Sequence, residues 1–351
     1  MREQTPSLPV PDPANDATRE KQTPFRSDTA HQRTTKNKTM KPTPSPLPRR
    51  AALLEALSAL ALFGGTLPVV AQEYETKVVA RGLQSPTGIV LDENGTIYFT
   101  EVPTPGVSGA NGGSNSVNEL NLRRNHITVL HMGEPEPVNI AIGRDNSLYW
   151  TCKSAGVILE QDKRGETTVF LSGLTQPNGI SVDRAGLVYF TQLPTPGTNG
   201  ANGGGNTVNV SDGDTIRVLT LGEPEPTDIV VAKNGDAYWT CKSANVILER
   251  SGADGTVSLL LGGLNQPSGI ALSRNDRNLF FTEVPTPGVS GRNGGSNKVW
   301  ELDLVTGVRT LVNEGDPEPT DIAVAVNGNL YWTCTSAGVI VEASPVRGHR
   351  R

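Results

Sequence analysis

Apolar positions in this chain come in short, unbroken runs set beside a polar turn. Residues 86–101 read Pro-Thr-Gly-Ile-Val-Leu-Asp-Glu-Asn-Gly-Thr-Ile-Tyr-Phe-Thr-Glu, and residues 137–152 read Pro-Val-Asn-Ile-Ala-Ile-Gly-Arg-Asp-Asn-Ser-Leu-Tyr-Trp-Thr-Cys. Both follow one template: Pro, two residues, an apolar run, an Asn/Asp/Gly turn, then two large side chains, mostly aromatic, and Thr. Two β-branched or aromatic runs around such a turn predict a hairpin. The runs Ile89-Val90-Leu91 and Ile229-Val230-Val231-Ala232 do not alternate with polar residues. A strand with one wet face would alternate, so these strands must be covered on both faces.

The template recurs. Gly82-Leu-Gln-Ser-Pro, Gly173-Leu-Thr-Gln-Pro and Gly263-Leu-Asn-Gln-Pro are spaced by 91 and 90 residues, and the three Tyr-Trp-Thr-Cys segments at Tyr149, Tyr238 and Tyr331 by 89 and 93. A second hairpin follows in each half-unit, as in Gly156-Val-Ile-Leu-Glu160 and Thr167-Thr-Val-Phe-Leu171. Four strands per half and six halves predict an all-β, six-bladed β-propeller built from three tandem two-blade repeats of about 90 residues. The last blade lacks its fourth strand after Val339-Ile-Val-Glu342, whereas Glu75-Thr-Lys-Val-Val-Ala80 matches Glu166-Thr-Thr-Val-Phe-Leu171. The N-terminal strand is therefore expected to complete the last blade and close the ring, hiding edges that an open array would expose.

Composition divides the chain. Residues 1–50 are rich in Pro, Thr, Lys and Arg and poor in large apolar side chains, which predicts a disordered extension. Arg49-Arg50, the apolar run from Ala51 to Leu67 and Val69-Val70-Ala71 follow in the order of a secretory signal, so 51–71 is expected to be its hydrophobic region and Met40 a candidate true start. An uncleaved anchor is the competing reading, weakened by Glu55, Gly64-Gly65 and Pro68. The propeller is expected over 72–346, with a basic tail at 347–351. The expected location is secreted, periplasmic or otherwise extracellular, with membrane contact only if 51–71 stays uncleaved. Ten basic and six acidic residues precede Gln72, out of totals of 31 and 36, so the remainder carries a net charge of −9. That argues against nucleic acid as a partner.

The recurring polar residues gather on the loops leading into the inner strands. Glu134 and Glu136, Glu223 and Glu225, and Asp316 and Glu318 sit in three proline-stiffened loops, each followed by Asn139, Asp228 or Asp321. The other three blades carry Gly/Asn-rich loops at 103–115, 194–206 and 285–297, with Glu101, Gln192 and Glu283 at their feet. Two Asp side chains about 8 Å apart across such a mouth would repel by about 2 kcal/mol at an effective dielectric of about 20. Water, a raised pKa or a bound cation would relieve that. Oxygen ligands of this kind suit Ca²⁺ or Mg²⁺, which makes Asn139, Asp228 and Asp321 candidate metal ligands. Glu101, Gln192, Glu283, Glu136, Glu225 and Glu318 are candidate ligand-binding residues. The alternative is that the Asp and Asn side chains cap turns by accepting backbone N–H bonds.

Cys152, Cys241 and Cys334 occupy equivalent places in alternate blades, too far apart for a disulfide, and are expected to be small buried side chains. The six large-residue pairs, from Tyr98-Phe99 to Tyr331-Trp332, are expected in the core between blades. His126, His131 and His349 do not repeat, which disfavours a His-ligated metal.

The Pro-x-Gly-Ile…Asn-Gly…Tyr-Phe-Thr-Glu pattern resembles the six-bladed propellers of the NHL-repeat, gluconolactonase/senescence-marker and streptogramin-lyase group over about residues 74–344. The gluconolactonase branch implies one divalent metal held by a Glu, by Asn residues including one in a Pro-Asn-Gly turn, and by an Asp. Pro177-Asn178-Gly179 matches that turn and adds Asn178 to the candidate ligands. The acidic residues Asp228 and Asp321 fall two positions after Pro rather than one, and the family's Glu-Gly-Pro is absent. The lyase branch implies His and Glu at the mouth, where no His is placed. Enzyme sites break symmetry, and these three units stay close to equivalent. The expected function is an exported binding or interaction module with a polar or cation-binding mouth. The alternative is a divalent-metal-dependent hydrolase or lactonase, and whether the chain catalyses anything stays open. Expected partners are a small polar ligand, a glycan or a protein, bound by a monomer.

Overall fold

The computed structural model describes residues 73–103, 105, 114–194, 205–285 and 297–346. The extension, the proposed signal and tail, and nearly all of the three Gly/Asn-rich loops lie outside the described residues. The described residues form six four-stranded antiparallel sheets of consecutive strands, save one that draws on both ends of the described chain. The inner strands are β2 (Pro86–Leu91), β6 (Pro137–Ile142), β10 (Pro177–Val182), β14 (Pro226–Val231), β18 (Pro267–Leu272) and β22 (Pro319–Val324). Each touches the next, and β22 returns to β2, so the ring closes. In the last sheet β1 (Tyr74–Arg81) pairs antiparallel with β24 (Val339–Pro345), Tyr74 opposite Pro345 and Arg81 opposite Val339. Tyr74 also donates its hydroxyl proton to Glu301 of the preceding blade at 2.9 Å.

The core lies between blades, in clusters that each draw on adjacent sheets. Its largest members are Trp150, Trp239 and Trp332, alternating with Phe99, Phe190 and Phe281, and none of the six is exposed. A ring of this size removes roughly 150–250 Å² from water, which is why one aromatic per blade dominates the packing. The other member of each pair is buried or half-buried. Val90, Leu91 and Val230 are half-buried, because they border an axial cavity of about 180 Å³.

Every inner strand leaves its ladder near its third residue. Register slips between Pro86 and Ile89, Pro137 and Asn139, Pro177 and Ile180, Pro226 and Ile229, Pro267 and Ile270, and Pro319 and Ile322. The released N–H groups of Gly88, Asn139, Gly179, Asp228, Gly269 and Asp321 donate to the hydroxyls of Thr100, Thr151, Thr191, Thr240, Thr282 and Thr333 at 2.9–3.2 Å. All six threonines are fully buried. Thr151, Thr240 and Thr333 then donate to the carbonyls of Asn178, Ser268 and Thr87 in the next blade, at 2.7, 2.6 and 2.6 Å. One hydroxyl thus satisfies a bulge and ties two blades.

At this level glycine alternates with Asn or Asp around the axis. A Cβ on Gly179 would lie 2.5 Å from the Cα of Asp228, and one on Gly269 2.5 Å from the Cα of Asp321. Backbone cannot yield that far without moving a blade. Gly179→Ala is therefore expected to lower the unfolding free energy by about 1–3 kcal/mol, read as a lower urea midpoint with an unchanged slope.

Candidate functional site

The axial cluster is built by the bulges. Each turns the third side chain of β6, β14 and β22 inward, so Asn139, Asp228 and Asp321 meet at one end of the axial cavity. Asp228 and Asp321 are each only 5% exposed. Their oxygens are surrounded by donors. Asp228 accepts the N–H of Ile229 at 2.8 Å on Oδ1 and the N–H of Ile270, one blade on, at 2.9 Å on Oδ2. Asp321 accepts Ile322 at 2.7 Å and Ile89 at 2.8 Å in the same way. Asn139 accepts Ile140 on Oδ1 at 2.6 Å, which turns its amide nitrogen toward Asp228 Oδ1 at 2.9 Å.

Asp228 and Asp321 stand near enough for the charge of Asp228 to act on Asp321. Burial raises both pKa values, that of Asp228 to about 6, against the backbone N–H bonds that lower it. Asp321 is raised further, by burial first and then by the charge of Asp228. Two neighbouring buried carboxylates oppose each other's ionisation, which is the direction both are pushed. Of the three reliefs open to such a pair, this arrangement uses the raised pKa.

The donor set fits a divalent cation poorly. Both carboxylates already accept two N–H bonds each, and the Asn139 Oδ1 is taken by the Ile140 N–H while its nitrogen faces Asp228. Among the described residues no three His, Cys, Asp or Glu side chains converge. Asn178 stands on β10 between these strands, and its amide nitrogen donates to the Thr227 carbonyl at 2.8 Å, another link between blades.

The candidate ligand-binding residues are placed on the loop side of the blades. Glu101, Gln192 and Glu283 end the second strands β3 (Ile97–Glu101), β11 (Val188–Gln192) and β19 (Asn278–Glu283). Each accepts one backbone N–H from the segment leading into its own inner strand: Gln84, Thr175 at 2.6 Å and Asn265 at 2.8 Å. Their second atoms hold the third strand, Glu101 through Ser116 and Asn118, Gln192 through Thr207, and Glu283 through the Trp300 indole at 2.7 Å. Glu136, Glu225 and Glu318 share a left-handed backbone, φ 56° in each, and their carbonyls accept the N–H of Lys153, Lys242 and Thr335 at 3.0, 3.0 and 3.1 Å.

A further set was visible in the loops but not singled out. Glu134 and Glu223 accept the indole N–H of Trp150 and Trp239 at 3.1 and 3.2 Å and the thiols of Cys152 and Cys241 at 3.7 and 3.9 Å. Asp316 accepts the Trp332 indole at 2.7 Å. Burial, then the adjacent carboxylate, pushes all three thiols up, so they stay neutral and free of disulfides. The signal lay in co-occurrence: the acidic loop appears only in blades with Tyr-Trp-Thr-Cys, always 16 residues before the Trp. The two described histidines, His126 and His131, both lie on β5 (His126–Met132), the outer strand of its sheet, far from the axis in strand order.

Linkage fixes the sign of the pH response. A carboxyl whose pKa is raised on folding contributes stability below the unfolded value, near pH 4, and loses it as pH climbs through the folded value. Asp321→Asn copies residue 139 and removes the titrating proton. The variant is expected to be less stable than wild type at pH 4 by about 1 kcal/mol, because the Ile89 N–H loses its acceptor. The gap closes or reverses by pH 8. Thermal melts of the two proteins across that range give the measurement, and a gap independent of pH would refute the raised pKa of Asp321.

No family model and no curated protein matches the chain. Solved structures do. A streptogramin B lyase superposes with a TM-score of 0.54 at 18% identity, over 78% of this chain and 98% of that one. A putative gluconolactonase gives 0.58 at 12% identity, over 81% and 95%. A calcium-binding protein, regucalcin, from Agrobacterium tumefaciens gives 0.58 at 13% identity, over 78% and 95%. The six-bladed architecture is common to all of them, and at these identities the likeness is one of fold.

Proposed function

We propose that this chain is an exported six-bladed propeller that binds a polar ligand on the loop side of its blades and does not transform it. One observation carries the reading. Among the described residues, the polar side chains that recur there hold bonds within their own blades in each unit, with Glu101, Gln192 and Glu283 each accepting the N–H of the segment leading into its inner strand. Catalysis needs different tasks at different places, whereas a ring of equivalent loops needs only to present a surface. The order of basic, apolar and small residues up to Ala71 supports export, and the net charge of −9 beyond it supports a partner other than nucleic acid.

The metal-dependent lactonase reading draws on the fold shared with the gluconolactonase and on Asn178. Two measurements separate them. Thermal unfolding with chelator and then with Ca²⁺, Mg²⁺ or Mn²⁺ is expected to move by less than about 1 kcal/mol, where a ligand at one hundred times its dissociation constant adds about 2.7 kcal/mol. Aldonolactones and aryl esters are expected to hydrolyse at the background rate. A metal-dependent shift lost in Asp228→Asn, or turnover lost in Asn178→Ala, would overturn the binding reading in favour of the hydrolase.

A further inference from the structure

The inner strands have a second end. Away from the loops, each runs into the turn of its first hairpin. The second residue past the strand holds the same place in all six: Glu93, Arg144, Arg184, Lys233, Arg274 and Val326. All six are exposed. Neighbouring residues hold these turns. Asp92 accepts the N–H of Asn94 and Thr96 at 2.9 and 2.7 Å, Asp183 accepts Ala185 and Leu187 at 2.8 and 2.9 Å, and Asn234 accepts Asp236 at 3.1 Å. A position without a task in the turn is free to drift, yet four consecutive blades place a cation there.

Two of the four are engaged. Lys233 lies 3.8 Å from Asp276, and Arg274 pairs with Glu93, two blades on, at 3.8 Å. Arg144 and Arg184 make no ion pair or side-chain hydrogen bond among the described residues, and they line one cleft of about 590 Å³. Leu91, Ile142 and Val182 give it an apolar lining. They end three neighbouring inner strands and also border the axial cavity, so the cleft is the turn-side mouth of the axis over the first three blades. Its volume is in the range of small-ligand sites.

Charge around this mouth is uneven. The outer turns of the first two blades add Arg123, Arg124, Lys163 and Arg164, all exposed, whereas those of the next two carry Asp212, Asp214 and Asp254. Three acids share the cleft lining, and each is occupied: Asp92 and Asp183 cap their turns, and Glu93 pairs with Arg274. The unanswered charge in the cleft is therefore positive. Arg144 and Arg184 stand on neighbouring blades and meet a ligand from two sides. A carboxylate has one pair of oxygens and fills one guanidinium fork, whereas a tetrahedral oxyanion can present an edge to each of two. We propose that this cleft binds a small organic phosphate of the monoester class, its phosphoryl group between Arg144 and Arg184 and its apolar part on Leu91, Ile142 and Val182. The site lies at the opposite end of the axis from the loops and stands whether or not the loops bind a ligand.

Arg144 and Arg184 hold nothing in the fold, so they can be replaced without risk to it. The full chain is titrated by calorimetry at low salt with phenyl phosphate, inorganic phosphate and benzoate, and with phosphatidylcholine vesicles carrying phosphatidic acid. Expected is one saturable site for phenyl phosphate, weaker for inorganic phosphate and about tenfold weaker for benzoate, which fills a single fork. Arg144→Gln and Arg184→Gln are each expected to weaken phenyl phosphate by about tenfold, the loss of one charge-assisted pair, with an unchanged melting temperature. Glu93→Gln removes an anion and frees Arg274, and is expected to tighten binding. Arg81→Gln, the same change of charge on the outer strand β1, is expected to leave binding unaltered. No saturable binding of either soluble phosphate overturns the proposal, as does binding undiminished in R184Q or equally weakened in R81Q. Benzoate bound as tightly as phenyl phosphate overturns the tetrahedral class, and binding to the vesicles alone overturns the small-molecule ligand in favour of a lipid surface.

Discussion

Six strands can converge on one axis only if each gives way near its third residue, and the buried threonine of the second strand makes that possible. A bulge inside a closed ring frees an N–H where no water reaches it, and an orphaned donor there costs a few kcal/mol. Six bulges without six hydroxyls would erase much of the stability of an ordinary domain. Thr suits the place because its hydroxyl accepts from the bulge in every blade and, in Thr151, Thr240 and Thr333, also donates to the next blade. The rest of the axis follows. Once the third residue is turned inward, there is room for three side chains and no more, so Gly88, Gly179 and Gly269 alternate with Asn139, Asp228 and Asp321.

That crowding explains why acids stand at the centre of the ring. Each inward carboxylate receives N–H groups from its own strand and from the strand of the next blade. An apolar residue would leave those donors bare. Two Asp side chains supply enough acceptors and create a new difficulty, a pair of buried negative charges, and burial raises the pKa of each. Asn139 shows a second solution at the third position: it gives up the cross-blade acceptor and donates to Asp228 instead. That amide places a donor against a buried carboxylate oxygen.

Architecture was legible in the sequence because it depends on periodicity. Hairpin runs, the 90-residue spacing and the aromatic pairs each predict burial or turning directly, and Trp150, Trp239 and Trp332 are buried where the pattern placed them. The roles of polar residues were far less legible. Glu101 and Glu283 look like mouth ligands when read by position, and the structure engages them with backbone N–H groups of their own blades. Sequence carries no sign of which way a carboxylate turns. Co-occurrence would have revealed the bond between Glu223 and Trp239, since the acidic loop and the Trp-Cys pair travel together. The contact between Asp228 and Asp321, 93 positions apart, had no such signal.

Repetition and departure from repetition therefore carry different information. A residue present in all three units is explained first by what every unit needs, which is to bulge, to cap and to pack. Duplication copies such residues whatever the protein does. A departure that also removes a bond its copies make has no scaffold role to explain it. Asn139 departs from its copies and still serves the axis, so it needs no function. Val138 departs from both Thr227 and Thr320, and with it goes a hydroxyl that in each copy donates to the carbonyl two residues back.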